Sequence, residues 1–140
     1  MGKVIHTDTP AKKREKILRL LANLLNLDNI SDGNTEDFRD KVSFIWLSLT
    51  EINKTIEETV GPWEKREYWI KADKFRADWI WVNELRTRIL DKIGKEAWEK
   101  LPEDIKFLEE KLSFVEPVRK ISKQEYWQGA YQIIQKYLIE

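Results

Sequence analysis

The sequence predicts an all-α protein: a single-domain antiparallel helical bundle of four long helices, with a short helical excursion at about 95–116. Apolar residues recur at spacings of three and four through most of the 140 residues. Alternating strand patterns are absent, apart from an extended segment near residues 3–7. Because 41% of the residues are hydrophobic, we expect one domain with a real core, residues 1–140, of which 1–9 form an N-terminal arm.

The first two helices have recognisable starts. Thr9 can cap the free amides of a helix, and Pro10 suits its first position, so helix one is predicted to run to about Leu27. A turn-rich loop then leads to a second start at Asn34 or Thr35. The apolar residues of the second helix step by four and three without a miss: Phe38, Val42, Ile45, Leu49, Ile52 and Ile56. This seam favours helices that cross at about 20°.

Gly61-Pro62 is predicted to end the second helix and to begin a third, which Gly94 ends. Four of the seven tryptophans fall at its start or inside it: Trp63, Trp69, Trp79 and Trp81. At about 100° per residue, its main apolar face is the following set: Tyr68, Ala72, Phe75, Trp79, Val82, Ile89, Leu90 and Ile93. A second apolar face gathers on the other side: Trp69, Ile70, Ala77, Ile80 and Trp81. A helix apolar on two faces is central in a bundle, or is covered on one face by a partner.

The remaining elements are shorter. Residues 95–101 form one or two turns that carry Trp98, and Pro102 begins a short helix. Pro117 breaks the chain, and a capping box at 122–125 begins a last helix that ends near Leu138. At 1.5 Å per residue, the second and third helices would span about 39 and 48 Å, and the first and last only about 25–27 Å. Residues 95–116 or another chain must therefore cover part of the long hairpin.

The composition limits the kinds of catalysis and binding that the sequence predicts. Twenty-five basic and 25 acidic residues cancel, so no global field attracts a polyanion. Without cysteine there is no thiolate chemistry, and the only histidine is His6 in the arm. Glu64-x-x-Glu67 and Glu96-x-x-Glu99 imitate the magnesium ligands of helical nucleotide pyrophosphohydrolases, but the second pair has the wrong last residue. We expect no catalytic, metal or cofactor residues; an enzymatic role is left open, but a non-enzymatic one is favoured.

Location follows from what the chain lacks. No apolar stretch approaches the roughly 20 residues that span a bilayer, and no secretory signal is visible. We therefore expect no membrane contact and a cytoplasmic protein.

The preferred function is protein–protein interaction, as a homo-oligomer or as a small subunit of a larger assembly. Large aromatic residues dominate binding hot spots, so the candidate interaction residues are Tyr68, Trp69, Trp81 and Trp98. Phe75 and Trp79 share the main apolar face with Val82, and we expect them in the core.

The alternative function is nucleic-acid binding. Basic residues crowd the start of helix one, where they oppose the helix dipole, and others interleave with the rings of helix three. These candidates are Lys12, Lys13, Arg14, Lys16, Arg19, Lys71, Lys74 and Arg76. They would need to converge on one surface. The competing interpretation is a solvated face with pairs within the helix, such as Glu67–Lys71 and Lys74–Asp78. Arg86, on the main apolar face, is expected to need a carboxylate partner.

Overall fold

The computed structural model describes residues 8–27, 35–119 and 125–138. Five α-helices follow in order: α1 Pro10–Leu25, α2 Glu36–Lys65, α3 Trp69–Gly94, α4 Pro102–Lys111 and α5 Ala130–Leu138. A single 3₁₀ turn, Trp98–Lys100, lies between α3 and α4. The all-α class is confirmed. Most of the predicted arm with His6, the loop at 28–34 and the start of the capping box at 122–124 lie outside the described residues.

Both predicted helix starts are confirmed. The Thr9 hydroxyl accepts a hydrogen bond from the Lys12 amide at 3.2 Å, and the Thr35 hydroxyl accepts one from the Phe38 amide at 3.0 Å. Each cap satisfies one of the amides that a helix leaves without a partner. The last helix is shorter than predicted, because residues 125–129 form turns before it, with Gly129 at a φ of 85°.

The prediction that Gly61-Pro62 separates the second and third helices is wrong. Helix α2 continues through Pro62 to Lys65, and Trp63 lies near its end rather than at the start of α3. Proline removes one backbone donor, and its ring disfavours helical geometry in a preceding residue that has a Cβ. Glycine at position 61 lacks that atom. The chain instead reverses at residues 66–68, where Glu67 adopts a left-handed φ of 64°.

One hydrophobic core joins the helices. Helix α1 packs antiparallel to α2, since Arg14 near its start donates to Thr55 and Thr59 in the second half of α2. Helix α3 returns along α2 to complete a long hairpin. Helix α5 lies alongside α2 in the same direction: the Asp40 carboxylate accepts hydrogen bonds from the amides of Gly129 and Tyr131 at its start.

Residues after α3 cover its second half, which is one of the two alternatives that the helix lengths left open. Buried Asp104 of α4 accepts a hydrogen bond from the Lys92 ammonium at 2.5 Å and one from Arg88 at 3.4 Å. Burial by itself would lower the pKa of Lys92, but the hydrogen bonds to Asp104 and Glu103 outweigh it and raise that pKa. The chain then crosses α1, where the Val118 amide donates to the Arg19 carbonyl at 3.3 Å. Within residues 8–27, 35–119 and 125–138, no segment after α3 covers the opposite end of the hairpin, where residues 65–71 are all exposed.

Arg86 does not have the carboxylate partner that we expected. Its guanidinium lies over the Trp46 ring, 5.4 Å from the centroid. Among residues 8–27, 35–119 and 125–138, Arg86 forms no ion pair, and its Nε has no hydrogen-bond partner. A ring face attracts a cation without a charged partner, which explains how an arginine is accommodated on this apolar face.

The structure also bears on membranes. Within the described parts of the chain, no helix combines the length and the apolar character that crossing a bilayer requires.

Candidate interaction surfaces

Three consecutive apolar side chains are exposed where α2 and α3 meet. We call residues 65–74 the hairpin tip. Tyr68, Trp69 and Ile70 are 51%, 54% and 87% exposed, and every residue from 65 to 71 is exposed. The backbone here is held by hydrogen bonds from the Tyr68 amide to the Trp63 carbonyl at 2.8 Å and from the Ala72 amide to the Tyr68 carbonyl at 3.1 Å. The three side chains therefore stand on an ordered turn.

Basic residues surround this apolar group. The hairpin tip contains four basic residues, at positions 65, 66, 71 and 74, and two acidic ones, at 67 and 73, which gives a formal charge of +2. The Lys71 ammonium lies 4.4 Å from the centroid of the Trp63 ring. An apolar centre inside a basic border is suited to a partner with an apolar pocket and an acidic edge.

Just outside the hairpin tip, Arg76 is committed to the fold. Its guanidinium donates to the carboxylate of Glu64 at 2.7 and 3.0 Å and to that of Glu57 at 2.9 and 3.1 Å. These bonds raise the pKa of Arg76, and they lower the pKa of Glu64 below its ordinary value. Arg76 therefore joins α2 to α3 rather than offering its charge to a ligand.

A second surface lies between α1, α3 and the turn after α4, and we call it the aromatic groove. Two adjoining depressions of about 460 and 510 Å³ share four residues: Leu18, Trp79, Phe114 and Val115. Trp79 stacks on Trp81, with ring centroids 6.1 Å apart, and the Phe114 side chain is 84% exposed at the edge. The groove therefore has an apolar, ring-rich floor that is open to solvent.

Carboxylates outnumber cations by four to three around the aromatic groove, which gives it a formal charge of −1. Four acidic residues line it: Glu15, Asp78, Glu110 and Glu116. The cations there are already engaged. Arg14 is buried and lies over the rings of Phe75 and Trp79 at 5.1 and 5.2 Å, and this burial lowers its pKa. The Lys111 ammonium lies over Trp81 at 5.6 Å, and Arg19 Nε donates to the Glu116 carbonyl at 3.1 Å.

The four predicted interaction residues fall in three places. Tyr68 and Trp69 come together at the hairpin tip, and Trp81 lines the aromatic groove. Trp98 is a core residue, only 4% exposed, with its ring against Tyr131 and under the Arg39 guanidinium. Sequence reasoning selected it because tryptophan is common in binding hot spots, but Tyr131 of α5 and Arg39 of α2 cover its ring. Phe75 and Trp79 pack against the core, as predicted.

Sequence reasoning did not select five of the exposed large apolar residues, namely Ile70, Ile80, Phe114, Ile133 and Tyr137, and two of these lie on the surfaces described above. Ile70 was placed on the second face of α3 but not among the site residues, although it is the most exposed large apolar side chain described. Phe114 lies in the turn after α4. The sequence feature that could have identified it is a large ring between Leu112 and Pro117, outside any helical pattern that would predict burial.

The predicted basic residues are not brought together. Lys13 and Lys16 line a different groove, between α1 and α2, with four carboxylates: Asp8, Glu51, Glu57 and Glu58. Lys16 pairs with Asp8 at 2.5 Å, and Lys13 approaches Glu58 to 3.8 Å. Lys12 is exposed on α1, whereas Lys71 and Lys74 belong to the hairpin tip. Arg14 is buried, and Arg76 is bound by Glu57 and Glu64. No described groove therefore contains both the predicted cations of α1 and those of α3.

The carboxylate pairs noted in the sequence lie far apart. Glu64 is bound by Arg76 before α3 begins, whereas Glu96 and Glu99 follow its end. A straight helix of 26 residues separates them by about 39 Å. Nowhere in the described ranges do three or more His, Asp or Glu residues cluster in a way that could hold a metal ion.

Comparison with known proteins adds no relative. No protein-family model, no curated protein and no solved structure matches the chain.

Proposed function

We propose that this chain is a helical-bundle interaction protein that docks on another protein through the hairpin tip. The observation that carries the proposal is the exposure of three consecutive large apolar residues, Tyr68 to Ile70, on an ordered turn. Single exposed apolar residues are ordinary on a protein surface, but a contiguous group marks an interaction site.

The chemistry of the hairpin tip supports this role. Trp69 and Tyr68 are of the residue types that supply most of the binding energy in protein interfaces. Because helix termini hold them, little conformational entropy is lost when a partner covers them. The bordering Lys71 and Lys74 would speed association with an acidic partner and fix its orientation.

Nucleic-acid binding is the second candidate, and one observation favours it. Lys71 and Lys74 flank Trp69 at the hairpin tip, which suits contact with phosphates together with stacking on a base. The tip by itself carries a formal charge of only +2, and the α1 cations do not join it. Protein docking therefore has the stronger support.

The proposal is tested by a photo-crosslinking amino acid introduced at Ile70 in cells that produce the protein. We expect protein adducts at position 70 and none above background at Glu99, which is exposed beyond the other end of α3. The adducts should be lost when Trp69 is also changed to Asp, because a charge removes the apolar anchor. Equal labelling at positions 70 and 99, or no loss with Trp69→Asp, would overturn the proposal.

A further inference from the structure

We propose that the partner is a second copy of this chain, and that the hairpin tip of one copy docks into the aromatic groove of the next, head to tail. The inference rests on the proposed function, because it gives the hairpin tip a specific occupant to bind. It also assigns a role to Trp81 and Phe114.

The two surfaces are complementary in shape and polarity. The hairpin tip projects three large apolar side chains from a turn. The aromatic groove is concave, is lined by Leu18, Trp79 and Val115, and offers two adjoining depressions within the size range of ligand pockets. Each surface supplies what the other lacks, since a projecting Trp69 or Ile70 can be buried against rings in the groove.

The charges are complementary as well. The hairpin tip has a formal charge of +2. At the groove edge, Glu15, Asp78 and Glu110 form no ion pair within the described part of the chain. The three cations of the groove are engaged by rings, hydroxyls or a carbonyl. Incoming lysines of a hairpin tip would therefore meet carboxylates that form no ion pair with any described residue.

Charge also selects the symmetry of the contact. Pairing two hairpin tips would bring four basic residues of each copy together, and pairing two grooves would oppose their carboxylates. Only the tip-to-groove contact places opposite charges against each other. Such a contact is heterologous, so it produces a ring if the rotation closes and a filament if it does not.

A copy cannot satisfy its own groove. Trp69 and Trp81 belong to the same unbroken helix, α3, and are held about 18 Å apart along its axis. The hairpin tip of one copy therefore cannot reach its own groove, so the proposed contact joins two copies.

The test uses two variants that each remove one surface. The tip variant carries Ile70→Asp, Lys71→Glu and Lys74→Glu; the groove variant carries Phe114→Asp and Glu110→Lys. All five positions are exposed, so both variants should fold, as circular dichroism and thermal melting would verify. Sedimentation velocity is measured for each variant alone, for their equimolar mixture and for the unchanged chain over a range of concentrations. Lys95→Glu, exposed just after α3, is the matched control.

We expect the unchanged chain and the Lys95→Glu control to form dimers and larger species as concentration rises. Each surface variant alone should lose every species above the monomer. The mixture should regain a dimer and nothing larger, because it contains one intact tip and one intact groove. A mixture that stays monomeric, or a tip variant that still dimerises, overturns the head-to-tail contact. An unchanged chain that is monomeric while position 70 crosslinks to a different protein also overturns it, and leaves the proposed function standing.

Discussion

At the residue scale, Arg14 shows that a basic residue at the start of a helix need not be available to a ligand. Its place among the basic residues of a helix start suggested a phosphate contact. In the fold its guanidinium lies over the rings of Phe75 and Trp79. It also donates to the hydroxyls of Thr55 and Thr59 at 3.3 and 3.2 Å. A cation held over ring faces with hydrogen bonds is stabilised without a carboxylate. The unfavourable charge at the start of α1 is thus offset inside the bundle.

The contrast between Trp98 and Trp69 gives a prediction at the same scale. Trp98→Ala should lower the free energy of unfolding by about 3–5 kcal/mol, because it removes a buried ring and leaves a cavity. Trp69→Ala should change that free energy by no more than about 0.5 kcal/mol, because the Trp69 ring is half-exposed. Urea denaturation of both variants at a concentration where the protein is monomeric checks this. Similar losses in the two variants would contradict the assignment of Trp98 to the core and Trp69 to a surface.

At the element scale, the long hairpin of α2 and α3 is fastened by different means along its length. Near the middle, core residues such as Ile52 and Val82 are buried between the helices. Closer to the turn, Arg76 bridges Glu57 and Glu64 on α2, and Trp63 packs edge-on against Phe75 with centroids 5.4 Å apart. The hairpin tip is therefore held in position by polar and aromatic contacts in addition to the buried side chains of Val60 and Ala72.

A pH dependence follows from the Arg76 bridge. Its hydrogen bonds lower the pKa of Glu64 below the ordinary 4.5. A lowered pKa in the folded state contributes stability that is present above the unfolded value and is lost as pH falls through the folded value. The stability difference between the unchanged chain and Glu64→Gln should therefore be constant above about pH 5.5 and shrink below pH 4.5.

Denaturant unfolding from pH 3 to 7 would measure this difference, with Glu99→Gln as the control, since Glu99 is exposed and belongs to no ion pair within the described ranges. A difference between the unchanged chain and Glu64→Gln that stays constant down to pH 3 would show that the Arg76 bridge does not couple to the titration of Glu64.

At the scale of the whole molecule, charge is distributed rather than concentrated. The formal net charge is zero, and the cations of α1 and of the hairpin tip lie in separate grooves. Affinity for nucleic acid comes mainly from phosphates neutralised together on one surface. Two small and separate groups of cations supply little of this term.

We therefore expect only weak binding to a mixed-sequence single-stranded oligonucleotide, with a Kd of about 100 μM or weaker at physiological salt. Fluorescence anisotropy at low and high salt measures it. The opposite result would be a tighter complex that weakens steeply with salt and is lost in Lys71→Glu/Lys74→Glu but not in Phe114→Asp. It would contradict this prediction and favour nucleic-acid binding over protein docking.

The sequence by itself determined the all-α class, the two N-terminal helix caps and part of the apolar face of α3, although Tyr68 from that face is exposed and Trp81 from the other packs against the core. These depend on local chemistry and on helical period, which a linear pattern records. The prediction that Gly61-Pro62 ends a helix was wrong: helix α2 runs through Pro62, and Gly61 lacks the Cβ that helps to force the residue before a proline out of helical geometry.

Only the tertiary structure decided which rings are buried and which charges remain available. Trp98 and Trp69 look alike in the sequence, and one is covered because a later segment folds over it. Arg14 and Arg76 look like surface cations, and both contact residues 12 to 65 positions away. Burial and pairing depend on contacts between distant parts of the chain, and helical periodicity contains no information about those contacts.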